Sequence, residues 1–157
     1  MQLKEYLLET FRFNDEANKK MLEKINQLPD KAECTRHLSH LVNSQKKWMA
    51  RILQDPAAPQ MSWWDPVYDY DELETEWSKS LQPWLDMINN SSEAQLFEEV
   101  QFTGYDGARW AARPADIALQ LNYHSIHHRA QMQLFIRAQG VEPDFIDYIG
   151  TKYRRLD

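Results

Sequence analysis

Apolar side chains recur every three or four positions along four long stretches of the chain, which is the spacing of amphipathic helices. The stretches cover about residues 2–27, 31–54, 69–90 (with Asp71 as an alternative start) and 113–139. Leu28-Pro29-Asp30 separates the first two, and Asp55-Pro56 ends the second because a residue before proline avoids the helical region. Gly140 suits the end of the fourth. The pattern predicts an all-α four-helix bundle.

Three segments depart from this pattern. Pro83 lies inside the third stretch and should bend it, or divide it into two shorter helices. Residues 96–113 fit a short β-hairpin that turns at the glycine-bearing segment 103–107, with an irregular loop as the alternative. The tail, residues 141–157, carries apolar side chains that are expected to pack back on the bundle.

Composition restricts the number of domains, the cellular compartment and the partners expected for this bundle. The 157 residues, 43% hydrophobic and 27% charged, suit one domain over 1–157. No apolar run approaches the ~20 residues of a membrane span, and the first residues lack the pattern of a secretory signal. The single cysteine, Cys34, fits a reducing compartment, so we expect a cytoplasmic protein. A net charge of −6 with scattered cations argues against nucleic-acid binding.

Three of the five histidines lie together between Tyr123 and Gln131 on the fourth predicted helix. His124 and His128 are only about 40° apart around a helix axis and flank the middle of the buried stripe, whereas His127 lies about 80° off it. A single inward histidine is usually a satisfied core residue, but two one turn apart would each need a buried partner. Together they can ligate one transition metal ion from the same side. Ser125 stands where a metalloprotease helix has its glutamate, so that motif is excluded.

A third ligand must come from another helix, and the second predicted helix offers His37 and His40. Periodicity favours His37, which lies nearer the apolar arc. His40 shares a more polar line with Ser44, Lys47 and Arg51. The residues alone leave both candidates open.

Two segments carry a resemblance to a known family, and it covers nearly the whole chain. They are His40-Leu41, with Trp48 a little over two turns on, and the run Asn122-Tyr123-His124-Ser125-Ile126-His127-His128-Arg129-Ala130-Gln131. The chain resembles the DinB-like or YfiT-like metal-binding helical proteins. The resemblance implies a metal on His40, His124 and His128, with His127 as a non-ligand neighbour. Ala130 stands where glycine is common in the family, which is expected to alter a close helix contact.

Three histidines leave metal positions open for water or substrate, as in catalytic sites. The resemblance implies a metal-dependent enzyme, with zinc or nickel as the expected ion and a thiol-dependent S-transferase acting on a small molecule as the first expectation. A low-molecular-weight thiol is then the expected partner. The alternatives are a metal-dependent hydrolase and a non-catalytic metal-binding stress-response protein. A plain helical bundle that binds no metal is a third alternative.

Other residues are assigned by position. Ser44, Tyr123 and Gln131 are the acid–base candidates, or with His127 they support the ligands from behind, and no residue is assigned as catalytic. The aromatics Trp63, Trp64 and Trp110 wall a pocket in one interpretation and are core or dimer-contact residues in the other. Cys34 is expected to be a buried small hydrophobe and not a ligand. The resemblance also implies a homodimer formed through bundle helices.

Overall fold

Four long helices build the structure, a computed structural model that describes residues 2–156. The elements in chain order are α1 (Leu3–Ile25), α2 (Ala32–Ile52), α3 (Tyr70–Asn90), α4 (Glu93–Phe97), β1 (Val100–Thr103), β2 (Arg109–Ala112) and α5 (Pro114–Ala138). Short 3-10 turns lie at Ala58–Gln60 and Tyr148–Thr151. The predicted helical bundle is confirmed, and the long helices begin and end within about two residues of the predicted limits, the ordinary uncertainty of such boundaries.

Helix α3 runs unbroken through Pro83, so the alternative of two shorter helices is wrong. Trp77 and Leu81 before the proline and Trp84 and Ile88 after it are all buried on one face. Packing on both sides of Pro83 therefore holds the helix together where one backbone donor is missing.

The predicted hairpin is confirmed for β1 and β2, which pair antiparallel from Val100–Ala112 to Thr103–Arg109. Gly107 has a φ of 79° in the turn, a conformation that glycine adopts without a steric penalty. The start of the segment differs from the prediction, because Leu96 and Phe97 belong to α4. Ser92 caps that helix by accepting a hydrogen bond from the Gln95 N–H at 3.2 Å, and Leu96 is fully buried.

Helices α2 and α5 lie side by side and antiparallel, which positions the histidines. Near one end of the pair Cys34 Sγ is 3.9 Å from the Met132 carbonyl oxygen, and further along His40 contacts His124. Apolar clusters surround this pair on both sides; one includes Leu38, Val42, Trp77 and Met132, and the other includes Phe11, Trp84, Leu96 and Ala118.

The tail returns to α1, as expected. The Tyr148 hydroxyl donates to Glu9 Oε1 at 2.5 Å, and its ring meets Phe13 edge-on. Among residues 2–156, no helix combines the length and apolar character that a bilayer crossing requires.

Candidate metal centre

Three imidazole rings converge between α2 and α5. His40 Nε2 lies 3.0 Å from His124 Nε2, which in turn lies 2.9 Å from His128 Nε2. One ligand atom from each ring can be chosen so that all three lie within 4.8 Å of one another. His40 and His128 are buried and His124 is half-buried, so the cluster is open to solvent mainly at His124.

The donor set fits a divalent transition metal ion. Neutral imidazole nitrogen is a preferred ligand of zinc, nickel and copper. Nitrogens bound at about 2.0–2.1 Å to one tetrahedral zinc ion are about 3.3–3.4 Å apart, and the two Nε2 separations of 3.0 and 2.9 Å are a few tenths of an ångström shorter. The three predicted ligands are thus positioned to bind one ion.

The orientation of His40 is fixed by the connection between α2 and α3. Its Nδ1–H donates to the Trp63 carbonyl oxygen at 2.7 Å, which leaves Nε2 free to act as the ligand. Ser62 Oγ accepts from the Trp64 and Asp65 N–H groups, and Asn43 Nδ2 donates to the Pro66 carbonyl oxygen. These bonds tie the loop to itself and to α2, so the Trp63 carbonyl is held in place.

Trp64 lies against the histidine cluster. Its ring stacks on His40 with centroids 3.9 Å apart and an interplanar angle of 11°, and it meets His128 edge-on at 6.0 Å. The Arg36 guanidinium lies 4.7 Å from the Trp64 ring centre. Trp64 therefore lies against two of the three candidate ligands, and the interpretation that it walls a pocket stays a prediction. Trp110, by contrast, is 55% exposed on β2.

His37 lies directly behind His128, with their Nδ1 atoms 2.8 Å apart. The His37 ring also contacts Phe135 at 5.6 Å and Trp64 at 5.9 Å. Sequence reasoning weighed His37 only as a ligand and missed this supporting position. The available signal was its place on the apolar arc, one turn before His40 on the same helix.

Burial keeps the imidazoles neutral. Loss of solvation and, to a smaller extent, the neighbouring histidines lower the pKa of His124 to about 4 and that of His128 to about 3. Burial also lowers the pKa of His37 and of His40, although the bond from His40 to Trp63 opposes the shift. The rings are thus in the neutral state that metal binding requires.

The four residues predicted to support the ligands differ in their exposure to solvent. Ser44, one turn after His40, is buried, and its hydroxyl has no hydrogen-bond partner in the part of the chain described. The buried Oε1 of Gln131 likewise has none there. His127 is exposed, with its ring 5.2 Å from that of His128, and Tyr123 is 63% exposed. Supporting roles for these four residues stay predictions.

Cys34 is a core residue. It is 1% exposed, and burial raises the pKa of its thiol to about 11, so the reactive thiolate is disfavoured. It does not belong to the histidine cluster.

Comparison with curated proteins found no match. The DinB family, in contrast, matches residues 1–155, nearly the full length of the chain. The match includes both helices that carry the three histidines, and the helical bundle agrees with the family assignment. The chain belongs to the DinB family.

Proposed function

We propose that this protein is a metal-dependent enzyme, a thiol-dependent S-transferase acting on a small molecule. The observation that carries the proposal is the convergence of His40, His124 and His128 as neutral, largely buried rings that are open on one side. Zinc or nickel is the proposed ion. A divalent ion on three histidines keeps a position for an outside ligand and lowers the pKa of a water or thiol bound there.

The chain's own residues prepare the site for such a ligand. The Trp63 carbonyl holds the tautomer of His40, and Trp64 keeps water away from one face of that ring. Arg36 is exposed beside Trp64 and presents a cation near the entrance, where an acidic low-molecular-weight thiol would be attracted. The Ser44 hydroxyl, which has no hydrogen-bond partner within residues 2–156, lies one helical turn after His40 and is a candidate to hydrogen-bond a ligand there.

Two alternatives use the same residues. In a hydrolase, water in place of a thiol would occupy the open position. In a non-catalytic stress-response protein, the ion would stabilise the contact between α2 and α5. His40 and His128 are each 6% exposed. This burial is the observation that favours the non-catalytic alternative, because a stabilising ion does not have to admit a substrate.

The experiment compares tag-free wild-type protein with His124→Ala and with the control His127→Ala. About one equivalent of zinc or nickel is expected in the wild type and the control and none in His124→Ala, because His124 belongs to the triad and His127 does not. Thiol consumption with electrophilic small molecules, and ester or amide cleavage, are then measured on the same three proteins. Turnover of a thiol that disappears with His124→Ala supports the transferase.

Other outcomes decide against the proposal. Cleavage without thiol dependence would indicate the hydrolase. A large drop in melting temperature on metal removal, with no turnover, would indicate the stabilising role. Equal metal content in all three proteins would place the ion elsewhere.

We further propose a cytoplasmic homodimer that neither spans a membrane nor binds nucleic acid. The outer face of α5 supports the dimer, because Tyr123, Ile126 and Leu134 form an exposed apolar stripe opposite the buried one. Ala130 is exposed in the same stripe, so the helix contact expected there would be with a second copy. Sedimentation of Leu134→Glu should show a monomer where the wild type is a dimer; a monomeric wild type would exclude the assembly.

A further inference from the structure

A second polar cluster lies at the C-terminal end of α2, about 16 Å along the helix from His40. Its centre is Arg51, which is 7% exposed. The guanidinium carbon lies 4.5 Å from the Trp48 and Phe102 ring centres and 5.1 Å from that of Trp63. Aromatic faces attract a cation but offer no acceptor for the five N–H groups of a guanidinium.

No carboxylate within residues 2–156 forms an ion pair with this guanidinium. The structure gives the Arg51 side chain no hydrogen bond or ion pair with any residue of 2–156, and its Nε is buried without a partner among them. Lys47, one turn earlier and 2% exposed, donates to the Met61 carbonyl oxygen and lies 4.6 Å from the Trp63 ring. Burial lowers the pKa of both side chains, and the charge of Arg51 lowers that of Lys47 further. Two buried cations therefore share one region with no carboxylate partner in the described part of the chain, an arrangement that folded proteins avoid unless something supplies the counter-charge.

A cavity of about 360 Å³ adjoins Arg51 and is the place where a counter-charge can enter. Arg109 of β2 contributes a second guanidinium to its lining, held by a hydrogen bond from Nη2 to Gln101 Oε1. Gln54 also lines the cavity and ties α2 to β1, because its amide donates to the carbonyl oxygens of Arg51 and Gln101.

Asp55 is the one carboxylate in the lining. It is exposed, and its Oδ1 accepts from the Ala57 N–H at 2.8 Å, so it is engaged by its own turn. An oxyanion is therefore the ligand class that the cavity suits, since a carboxylate or phosphate group can accept paired hydrogen bonds from a guanidinium fork.

We propose that this cavity binds the oxyanion group, carboxylate or phosphate, of a small molecule, with Arg51 and Arg109 as its charged partners. The site is separate from the histidine cluster and does not depend on the function proposed for it. Trp63 joins the two regions, because its carbonyl accepts from His40 while its ring contacts Arg51.

The test measures binding of inorganic phosphate and of acetate to the full-length protein by calorimetry, with chloride at matched ionic strength as the reference. Arg51→Gln should weaken binding by roughly 10–100-fold, the usual effect of losing charged hydrogen bonds. Arg109→Gln, an exposed change that leaves the core intact, should also weaken it and keeps the test valid if Arg51→Gln fails to fold. The matched control is Arg113→Gln, which removes an exposed arginine paired with Asp116 and outside the cavity.

His124→Ala separates this site from anion binding to a metal ion. Binding that survives in His124→Ala but weakens with Arg51→Gln and Arg109→Gln establishes the cavity site, and the tighter of the two probes identifies the oxyanion class. Binding that disappears in His124→Ala belongs to the metal centre and overturns the proposal. Equal affinities in wild type, Arg109→Gln and Arg113→Gln, or no binding of either probe, would overturn it as well.

Discussion

His37 and His128 face each other with their Nδ1 atoms 2.8 Å apart. A neutral imidazole that ligates through Nε2 carries its proton on Nδ1, so a His128 that binds a metal would donate this bond and His37 would accept it. Such a bond fixes the ring orientation and increases the basicity of the ligating nitrogen. We therefore expect His37 to act, through His128, on an ion held by the three histidines.

Replacing His37 with phenylalanine tests this relationship. His37→Phe keeps an aromatic ring against Phe135 and Trp64 but removes the acceptor for His128 Nδ1. We expect zinc affinity to fall by roughly 10–100-fold, the usual effect of losing an outer hydrogen bond to a metal ligand. Competition against a chromophoric chelator gives the affinity.

His127→Phe is the control for that measurement, since His127 is exposed on the same helix. It should leave the affinity unchanged. Equal affinities for His37→Phe and wild type would show that the bond does not support the ligand, and complete loss of metal would show that His37 is itself a ligand.

The sequence predicted the two ligands on α5 better than the one on α2, for a physical reason. His124 and His128 share one helix, so the helical period alone brings them together. The choice on α2 depended on which of its faces is covered. His40, Ser44, Lys47 and Arg51 form a polar line that would ordinarily face solvent, but all four are buried in the structure. Local periodicity cannot show burial that comes from elsewhere in the fold.

The cover over this line comes from the connection between α2 and α3. The Trp63 carbonyl accepts from His40, the Met61 carbonyl accepts from Lys47, and the Trp63 ring contacts Arg51. These are contacts between segments more than ten residues apart, and the family resemblance, not periodicity, selected His40. Similarly, α4 was missed because a five-residue helix is too short to show a period.

Metal affinity should change little between pH 7.5 and pH 5.5. A proton on Nε2 prevents ligation, and burial lowers the pKa of His124 to about 4 and that of His128 to about 3. Protons therefore compete at His124 and His128 only as the pH approaches those values, and burial lowers the pKa of His40 as well, whereas rings with the ordinary pKa of 6.5 would compete across the whole interval. Chelator competition at several pH values measures this, and a fall of tenfold or more by pH 5.5 would contradict it.

The same shifts should make the metal-free protein less stable in acid. Because the folded-state pKa values of His124 and His128 lie below the unfolded value of 6.5, the unfolded chain takes up protons that the folded chain does not. The stability present above pH 6.5 is thus lost progressively as the pH falls toward about 4 and 3. The urea midpoint of chelator-treated protein should decrease from pH 7 to pH 5, and by less in a double variant with His124→Gln and His128→Gln. An equal decrease in both proteins would assign the effect to other groups.

Trp64 should report metal binding by fluorescence. Its ring stacks on His40 at 3.9 Å, so a nickel or copper ion on His40 lies near enough to quench it. We expect metal titration to reduce the emission of the wild type, and Trp64→Phe to remove most of that reduction. Trp110→Phe is the control, because Trp110 is 55% exposed on the hairpin. If quenching persisted in Trp64→Phe and disappeared in Trp110→Phe, the ion would not lie beside Trp64 and the prediction would be wrong.

Arg129 holds α1 to α5 through a buried polar network. The side chain is 3% exposed, and its Nη1 donates to Asn14 Oδ1 at 2.6 Å, to Asn18 Oδ1 at 3.2 Å and to Ser125 Oγ at 2.8 Å. Burial lowers the pKa of the guanidinium to about 10, which leaves it charged at neutral pH. Truncation would leave several buried acceptors short of a donor, each at a cost of about 1–3 kcal/mol.

Arg129→Ala should therefore lower the free energy of unfolding by about 2–4 kcal/mol. Urea denaturation of metal-free protein measures the change without a contribution from the adjacent ligand His128. Arg137→Ala is the matched control on the same helix, because that side chain is 52% exposed and its Nη2 lies 3.8 Å from Glu142 Oε1. An exposed pair of this kind contributes little, so the control should stay within about 0.5 kcal/mol of the wild type. Equal effects of the two substitutions would mean that the network does not stabilise the contact between α1 and α5.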